Sequence, residues 1–256
     1  MSTLIAAAAS LLVFCAPGYP GTSGDAQPLV GEFAATLAAA AGWPAGSLTA
    51  VYDANEKSDL ERLAAPDASL AFVPYPFFVE HGAALHLLPL AQADVPPAGV
   101  QQHWSLVMKS GHAAPPAGLA GMTLISTAGY AQDFVREALR TVGPLPASTT
   151  ITATGQVLSA LRRAATGDPV AVLLDQEQAA ALPSLPFAAT LQVVGTSAAV
   201  PVALIVVVEG RVPKARAADL QQALLHLSAT PQGAATLGRL RLNGFVLPRL
   251  SATPGS

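Results

Sequence analysis

Residues 170–174 read Val-Ala-Val-Leu-Leu, with no polar side chain on either alternating face. A strand that is apolar at every position must be covered on both sides, so its sheet lies between helices and has no wet face. Residues 200–208, Val-Pro-Val-Ala-Leu-Ile-Val-Val-Val, repeat the pattern as one long strand. Pro201 must sit at its start or edge, because proline has no N–H to give to a ladder. Shorter β-type runs fall at 11–16, 48–52, 68–73, 85–90, 104–109, 122–125, 149–152, 191–194 and 243–246. Helical runs lie between them. Leu29, Phe33 and Leu37 recur every four residues until Gly42 stops that helix. Residues 58–63, 155–165, 179–182 and 215–227 also read as helices, and so does 230–238, with Thr230 as N-cap and Pro231 at the first helical position. Residues 74–78, Pro-Tyr-Pro-Phe-Phe, read as a stiff aromatic corner. Strands alternating with helices predict an α/β chain with mostly parallel sheets flanked by helices.

The order of these elements predicts two lobes. A β-α-β-α-β unit is followed by a second α/β unit, then by a strand and two helices with no sheet of their own. The closing elements return most simply to the first unit. The expected division is residues 1–102 with 199–248 for one lobe and 103–198 for the other, with crossings near 101–104 and 196–201. Residues 249–256 read as a disordered tail. No period of 20–50 residues recurs, which excludes a solenoid.

Composition removes several classes of function. Thirteen Lys and Arg residues are scattered through a chain of net charge −3, and nucleic acid calls for a basic face. The apolar stretches at 191–208 and at the N-terminus fall short of the ~20 unbroken residues of a spanning helix. The single cysteine, Cys15, excludes an internal disulfide and reads as a small buried hydrophobe. His81, His86, His103, His112 and His226 show no metal-ligand spacing, with His81 and His86 expected near a loop, so no metal and no cofactor is implied. Residues 1–16 are apolar enough for a signal sequence, yet the first basic residue is Lys57. The expectation is that 11–16 forms the first strand and that no clear signal peptide is present.

One stretch carries a chemical hint. A β-type run at 122–125 passes through Ser126-Thr127-Ala128-Gly129 into a helical pattern with Phe134, Ala138 and Leu139 on one face. A strand turning into a helix through such residues leaves backbone N–H groups and the positive end of a helix dipole available to an anion. The alternative is that Ser126 or Thr127 only caps its own helix.

The layout, with particular words in it, resembles the type 2 periplasmic-binding-protein fold. Within it the chain is similar to the phosphate/phosphite/phosphonate-binding subfamily of ABC-transporter substrate-binding proteins. The words are Ala-Ser-Leu-Ala-Phe-Val-Pro-Tyr at 68–75, Leu-Leu-Pro-Leu-Ala at 87–91 and the strand at 104–109. Leu-Ala-Gly-Met-Thr-Leu-Ile at 119–125 leads into Ser126-Thr127-Ala128-Gly129. Residues 164–175, 194–201 and the Gly244-Phe245 pair complete a collinear set that spans nearly the whole chain.

The resemblance implies a non-catalytic solute-binding protein that closes two lobes on a small anionic or zwitterionic, phosphonate- or phosphate-like ligand for ABC-type uptake or sensing. It implies a periplasmic monomer whose partners are a small molecule and an ABC permease or a sensor kinase. The alternatives are an enzyme on the same fold, similar to pyrimidine-precursor synthases, or a ligand-free interaction module. Ligands of such α/β lobes lie at the carboxyl ends of strands. The candidate contacts there are Ser126, Thr127, Ala128 and Gly129, with Tyr19 and Tyr75 as aromatic walls, Asp175 after its apolar strand, and Thr154 and Gln156 opening the next helix. Asp175 reads equally as a helix N-cap, and Tyr75 equally as a core ring. No catalytic residue is assigned. No Lys or Arg falls at any of these positions, so an anion would rest on dipoles and hydroxyls.

Overall fold

The structure, a computed structural model, describes residues 10–18 and 23–250. The first part of the chain forms β1 (Ser10–Cys15), α1 (Ser23–Ala40), β2 (Leu48–Asp53), α2 (Glu56–Ala64), β3 (Ala68–Pro74), α3 (Tyr75–His81) and β4 (Leu87–Asp94). A two-residue strand, β5 (Gln101–Gln102), leads to β6 (Ser105–Lys109), β7 (Thr123–Ser126), α4 (Gln132–Ala138), β8 (Thr150–Ala153), α5 (Val157–Thr166), β9 (Val170–Leu174), α6 (Gln176–Ala181) and β10 (Leu191–Thr196). The chain closes with β11 (Val200–Pro201), β12 (Ala203–Val208), α7 (Lys214–His226), α8 (Pro231–Arg239) and β13 (Gly244–Val246).

These strands build two main sheets. The first has the order β13-β4-β12-β3-β1-β2 and the second β10-β6-β9-β7-β8. Both are mixed, with most strands of each sharing one direction, as the alternation of strands and helices predicts. β1 runs parallel to β2 and β3, but β12 and β13 enter the first sheet antiparallel. In the second, β7 is parallel to β8 and β9, β6 alone runs the other way, and β10, antiparallel to β6, shares the direction of β9. The reversed strands, β6, β12 and β13, all come after a passage between the sheets, a direction that local apolar patterning does not encode.

The apolar runs are buried on both faces. In β1, Leu12 and Phe14 join a core with Phe33 and Leu37 of α1, whereas Leu11, Val13 and Cys15 join another with Leu63 of α2. In β9, Ala171 and Leu173 face the core holding Trp104 and Phe134, and Val170, Val172 and Leu174 face Leu161 of α5. Helices therefore cover each sheet on both sides.

Three expectations change. Residues 75–81 are a helix, α3, and not a corner, because Pro76 lies in its first turn, where the N–H groups have no intrahelical partner to lose. His81 is accordingly the last residue of a helix, and its Nε2 lies 2.9 Å from Glu56 Oε1. The long strand at 200–208 is interrupted at Val202: β11 pairs with β5, and β12 enters the first sheet between β3 and β4. Of the expected tail, the Arg249 N–H donates to Gln92 Oε1 at 3.2 Å and Leu250 packs on the core around Val13. Residues 251–256 lie outside the described residues.

The two passages between sheets are tied together. Val200 and Pro201 pair with Gln102 and Gln101. Beside them the Trp104 N–H donates to Ser197 Oγ at 2.9 Å, and the Ser197 N–H donates to the Trp104 carbonyl at 2.8 Å.

Candidate functional site between the two sheets

The sheets meet at the ends where β1, β3, β7 and β9 finish. Tyr75 opens α3 directly after β3 and packs against the cores of both sheets, as does Tyr130 after β7. Tyr75 stands edge-on to Phe134 with ring centres 6.2 Å apart. The Asp133 N–H at the start of α4 donates to Glu80 Oε2 of α3 at 2.9 Å. Gly18, directly after Pro17, has φ +81°, and a Cβ on it would sit 2.8 Å from the Thr127 carbonyl oxygen. Only glycine tolerates both the torsion and the approach.

Between these contacts is a void of about 10 Å³, lined by Pro17, Pro74, Pro76, Trp104, Thr127, Ala128 and Tyr130. That is about the smallest space that holds one water molecule. Each lining residue comes from a strand end. Pro17 follows β1, Pro74 and Pro76 end β3, and Thr127 and Ala128 follow β7. Trp104 precedes β6, whose first residue pairs with the last of β9.

Two residues of this lining each carry a buried polar atom without a hydrogen-bond partner, Thr127 Oγ1 and Trp104 Nε1. A buried hydroxyl or indole N–H without a partner costs about 1–3 kcal/mol. No charged side chain is among the lining residues.

The sequence candidates divide by what they touch. Thr127 and Ala128 line the void. Ser126 is fully buried, and its hydroxyl donates to the Leu173 carbonyl at 2.8 Å while accepting the Ala128 N–H at 3.2 Å. It therefore fastens its turn to β9. Gly129 is pressed on β8, where a Cβ would lie 2.3 Å from the Thr152 carbonyl oxygen. Its N–H donates to the Ser126 carbonyl at 3.1 Å. The helix expected directly after Gly129 begins only at Gln132, and its N-cap residue Ala131 offers no side-chain cap. Thr154 is half-buried, donates its N–H to the Ser126 carbonyl and accepts the Gln156 N–H at 3.0 Å. Gln156 is exposed at the N-cap of α5.

Asp175 caps α6 by accepting the Gln178 N–H at 2.8 Å, with Gln178 Oε1 accepting the Asp175 N–H in return. Burial raises its carboxyl above the usual range, partly offset by the Gln178 N–H. Burial, and next the nearby Glu137 carboxylate, raises the Tyr75 phenol. Tyr19 lies outside the described residues.

Sequence reasoning passed over Trp104, Tyr130 and the three prolines of the lining. Tyr130 directly follows the singled-out turn, and Trp104 sits where the first crossing was expected, so position alone could have marked both. Among the described residues no group of three or more His, Cys, Asp or Glu side chains could hold a metal ion, and no helix is long and apolar enough to cross a membrane.

No protein-family model matches the chain, and no curated protein matches it in sequence. Solved structures do match. XAC2383 from Xanthomonas citri, bound to chloride ion, superposes with a TM-score of 0.73 over 95% of this chain and 92% of its own, at 14% identity. PhnD1 from Prochlorococcus marinus, in complex with methylphosphonate, gives 0.62 over 93% of each chain at 13% identity. A binding-protein component of an ABC phosphonate transporter from Pseudomonas aeruginosa gives 0.60 over 93% of this chain and 81% of its own, at 14% identity.

The chain has the type 2 periplasmic-binding-protein fold. In that fold the void between the sheets is where strand ends from two α/β units converge, the general location of ligand sites in open α/β proteins. The neighbours named above are described as binding proteins or as bound to small ions.

Proposed function

We propose that the protein is a solute-binding protein whose two lobes, residues 1–102 with 199–248 and residues 103–198, close on a small anionic or zwitterionic ligand. The observation that carries this is the void at the strand ends, with buried Thr127 Oγ1 and Trp104 Nε1 left without partners. Native interiors rarely leave polar atoms so, and an orphan pair beside a cleft points to a group that arrives from outside. The lobes are drawn together around a space too small for a solute, so a ligand enters by parting them about the Trp104–Ser197 junction.

A phosphonate-like ligand, an ABC permease or sensor kinase as partner, and a periplasmic location fit this reading. They rest on the likeness in fold. Binding without catalysis fits the side chains: Ser126 Oγ donates to a backbone carbonyl, and no histidine lines the void to activate it.

The test is a calorimetric and thermal-shift screen of phosphate, methylphosphonate, methanesulfonate, carboxylates and amino acids. A binder should raise the melting temperature in proportion to its affinity. Absence of heat and of any shift for all of them would refute the reading.

A further inference from the structure

We infer that the group recognised at this site is a hydrogen-bond acceptor carrying at most one negative charge, held by the Trp104 indole N–H and the Thr127 hydroxyl. This deepens the solute-binding reading and rests on it. Trp104 and Thr127 are the lining residues whose side-chain polar atoms are buried without a partner. An indole nitrogen only donates, and a threonine hydroxyl can donate. Their shared lining is otherwise three prolines, Ala128 and Tyr130, with no cation.

Four of the backbone donors around this turn are already committed. The Ala128 N–H is given to Ser126 Oγ and the Gly129 N–H to the Ser126 carbonyl, at 3.2 and 3.1 Å. The Ala131 N–H is given to the Ala128 carbonyl at 2.9 Å, and the Asp133 N–H to the carboxylate of Glu80. A carboxylate of the protein itself therefore stands at the start of α4, where an anion would otherwise be welcome, and it repels a second one. The desolvation cost of an ion grows with the square of its charge, so a dianion pays roughly four times what a monoanion pays on entering this apolar lining. Two neutral donors can offset the smaller cost and not the larger.

The test uses a Trp43→Phe background, so that Trp104 is the only indole and its fluorescence reports the site. Methanesulfonate and acetate serve as monoanions; sulfate and phosphate, at a pH where both are divalent, serve as dianions. Methanesulfonate and sulfate share tetrahedral geometry and differ in charge. The monoanions should bind and the dianions bind at least tenfold more weakly. Thr127→Val, which keeps the shape and deletes the hydroxyl, should weaken methanesulfonate binding about tenfold or more. It should also raise the melting temperature of the ligand-free protein, because it removes an orphaned buried group. A purely structural hydroxyl would not move the two readouts in opposite directions.

Trp104→Phe, followed by calorimetry, should likewise weaken binding. If that variant does not fold, Thr127→Val decides alone. Tighter binding of sulfate than of methanesulfonate, or unchanged affinity in Thr127→Val, overturns this inference and leaves the solute-binding reading standing. No binding of any of the four probes to the folded parent overturns this inference, and the solute-binding reading falls with it only if methylphosphonate and the amino acids of the screen also fail to bind.

Discussion

Replacing Asp59 by asparagine should flatten a pH dependence of stability that the native protein carries. Asp59 sits on α2 with no exposed surface, packed toward β1, and neither of its carboxyl oxygens has a hydrogen-bond partner. Burial is the main reason its pKa is pushed up to about 8, and the negative charges of Asp53 and Glu56 push in the same direction. The Cys15 thiol beside it offsets only part of this. The folded-state pKa is thus raised above that of the unfolded chain. Asp59 contributes its full stability below the unfolded value of 3.8, and that stability is lost as pH rises through about 8.

Between pH 5 and pH 8 the unfolded chain has released this proton while the folded chain still holds it. Linkage across that window corresponds to a loss of about 3–4 kcal/mol. Other groups titrate there too, so the informative quantity is the difference between parent and Asp59→Asn. Urea unfolding followed by circular dichroism at half-unit steps would give both curves. The parent should lose about 3–4 kcal/mol more than the variant from pH 5 to pH 8. Parallel curves would mean that Asp59 is already ionised in the folded protein, and the burial argument would fail.

Four further outcomes follow from single contacts. Thr230 Oγ1 accepts the Gly233 N–H at the start of α8, so Thr230→Ala should cost about 1 kcal/mol in urea unfolding. Arg211 Nη1 donates to the Leu63 and Ala68 carbonyls at the end of α2 and the start of β3; losing these charge-assisted bonds in Arg211→Ala should cost about 2–3 kcal/mol by the same measurement. Gly18→Ala should lower ligand affinity by holding Thr127 away from the first sheet, read by calorimetry with whichever probe the screen returns, and should cost about 1–2 kcal/mol from the positive φ. Cys15 is buried, and burial followed by the Asp59 and Asp53 charges raises its thiol well above the ordinary range, so a thiol reagent should modify it only at the rate of unfolding.

The sequence made the layering legible because burial on both faces leaves a visible trace. In residues 170–174 every position is apolar, and the structure sends alternate residues to two different cores. Thr230-Pro231 marked a helix start because capping chemistry is local. Strand direction and sheet membership are not local. An unbroken apolar run at 200–208 contains nothing to show that Val202 separates a strand beside β5 from one between β3 and β4. The Pro-aromatic word at 74–78 misled because proline reads as a breaker unless one knows that it falls in the first turn of a helix.

Adjacent candidates in the sequence take different roles in the structure. Ser126 and Thr127 are adjacent hydroxyls in the same word, yet one is spent on the Leu173 carbonyl and the other has no partner. That difference depends on the register of β7 against β9, which aligns Ile125 with Val172.

The register also explains why Trp104 matters more than its neighbours suggest. Trp104 is one of the residues lining the void, while its backbone makes both hydrogen bonds to Ser197 where the two passages between sheets run side by side. Its ring packs edge-on against Phe134 of α4, 5.2 Å between centres. A ligand that engages the indole, as proposed, would thereby act directly on the junction between the two passages. In the proposed solute-binding role, binding and closure would be coupled through one residue, because a change in the junction's angle would move Trp104 relative to Pro17 and Pro74 on the first sheet. A solute that satisfies Nε1 only when those walls are close favours the closed form by its differential contact with the two forms, which is all that a ligand can use to shift such an equilibrium.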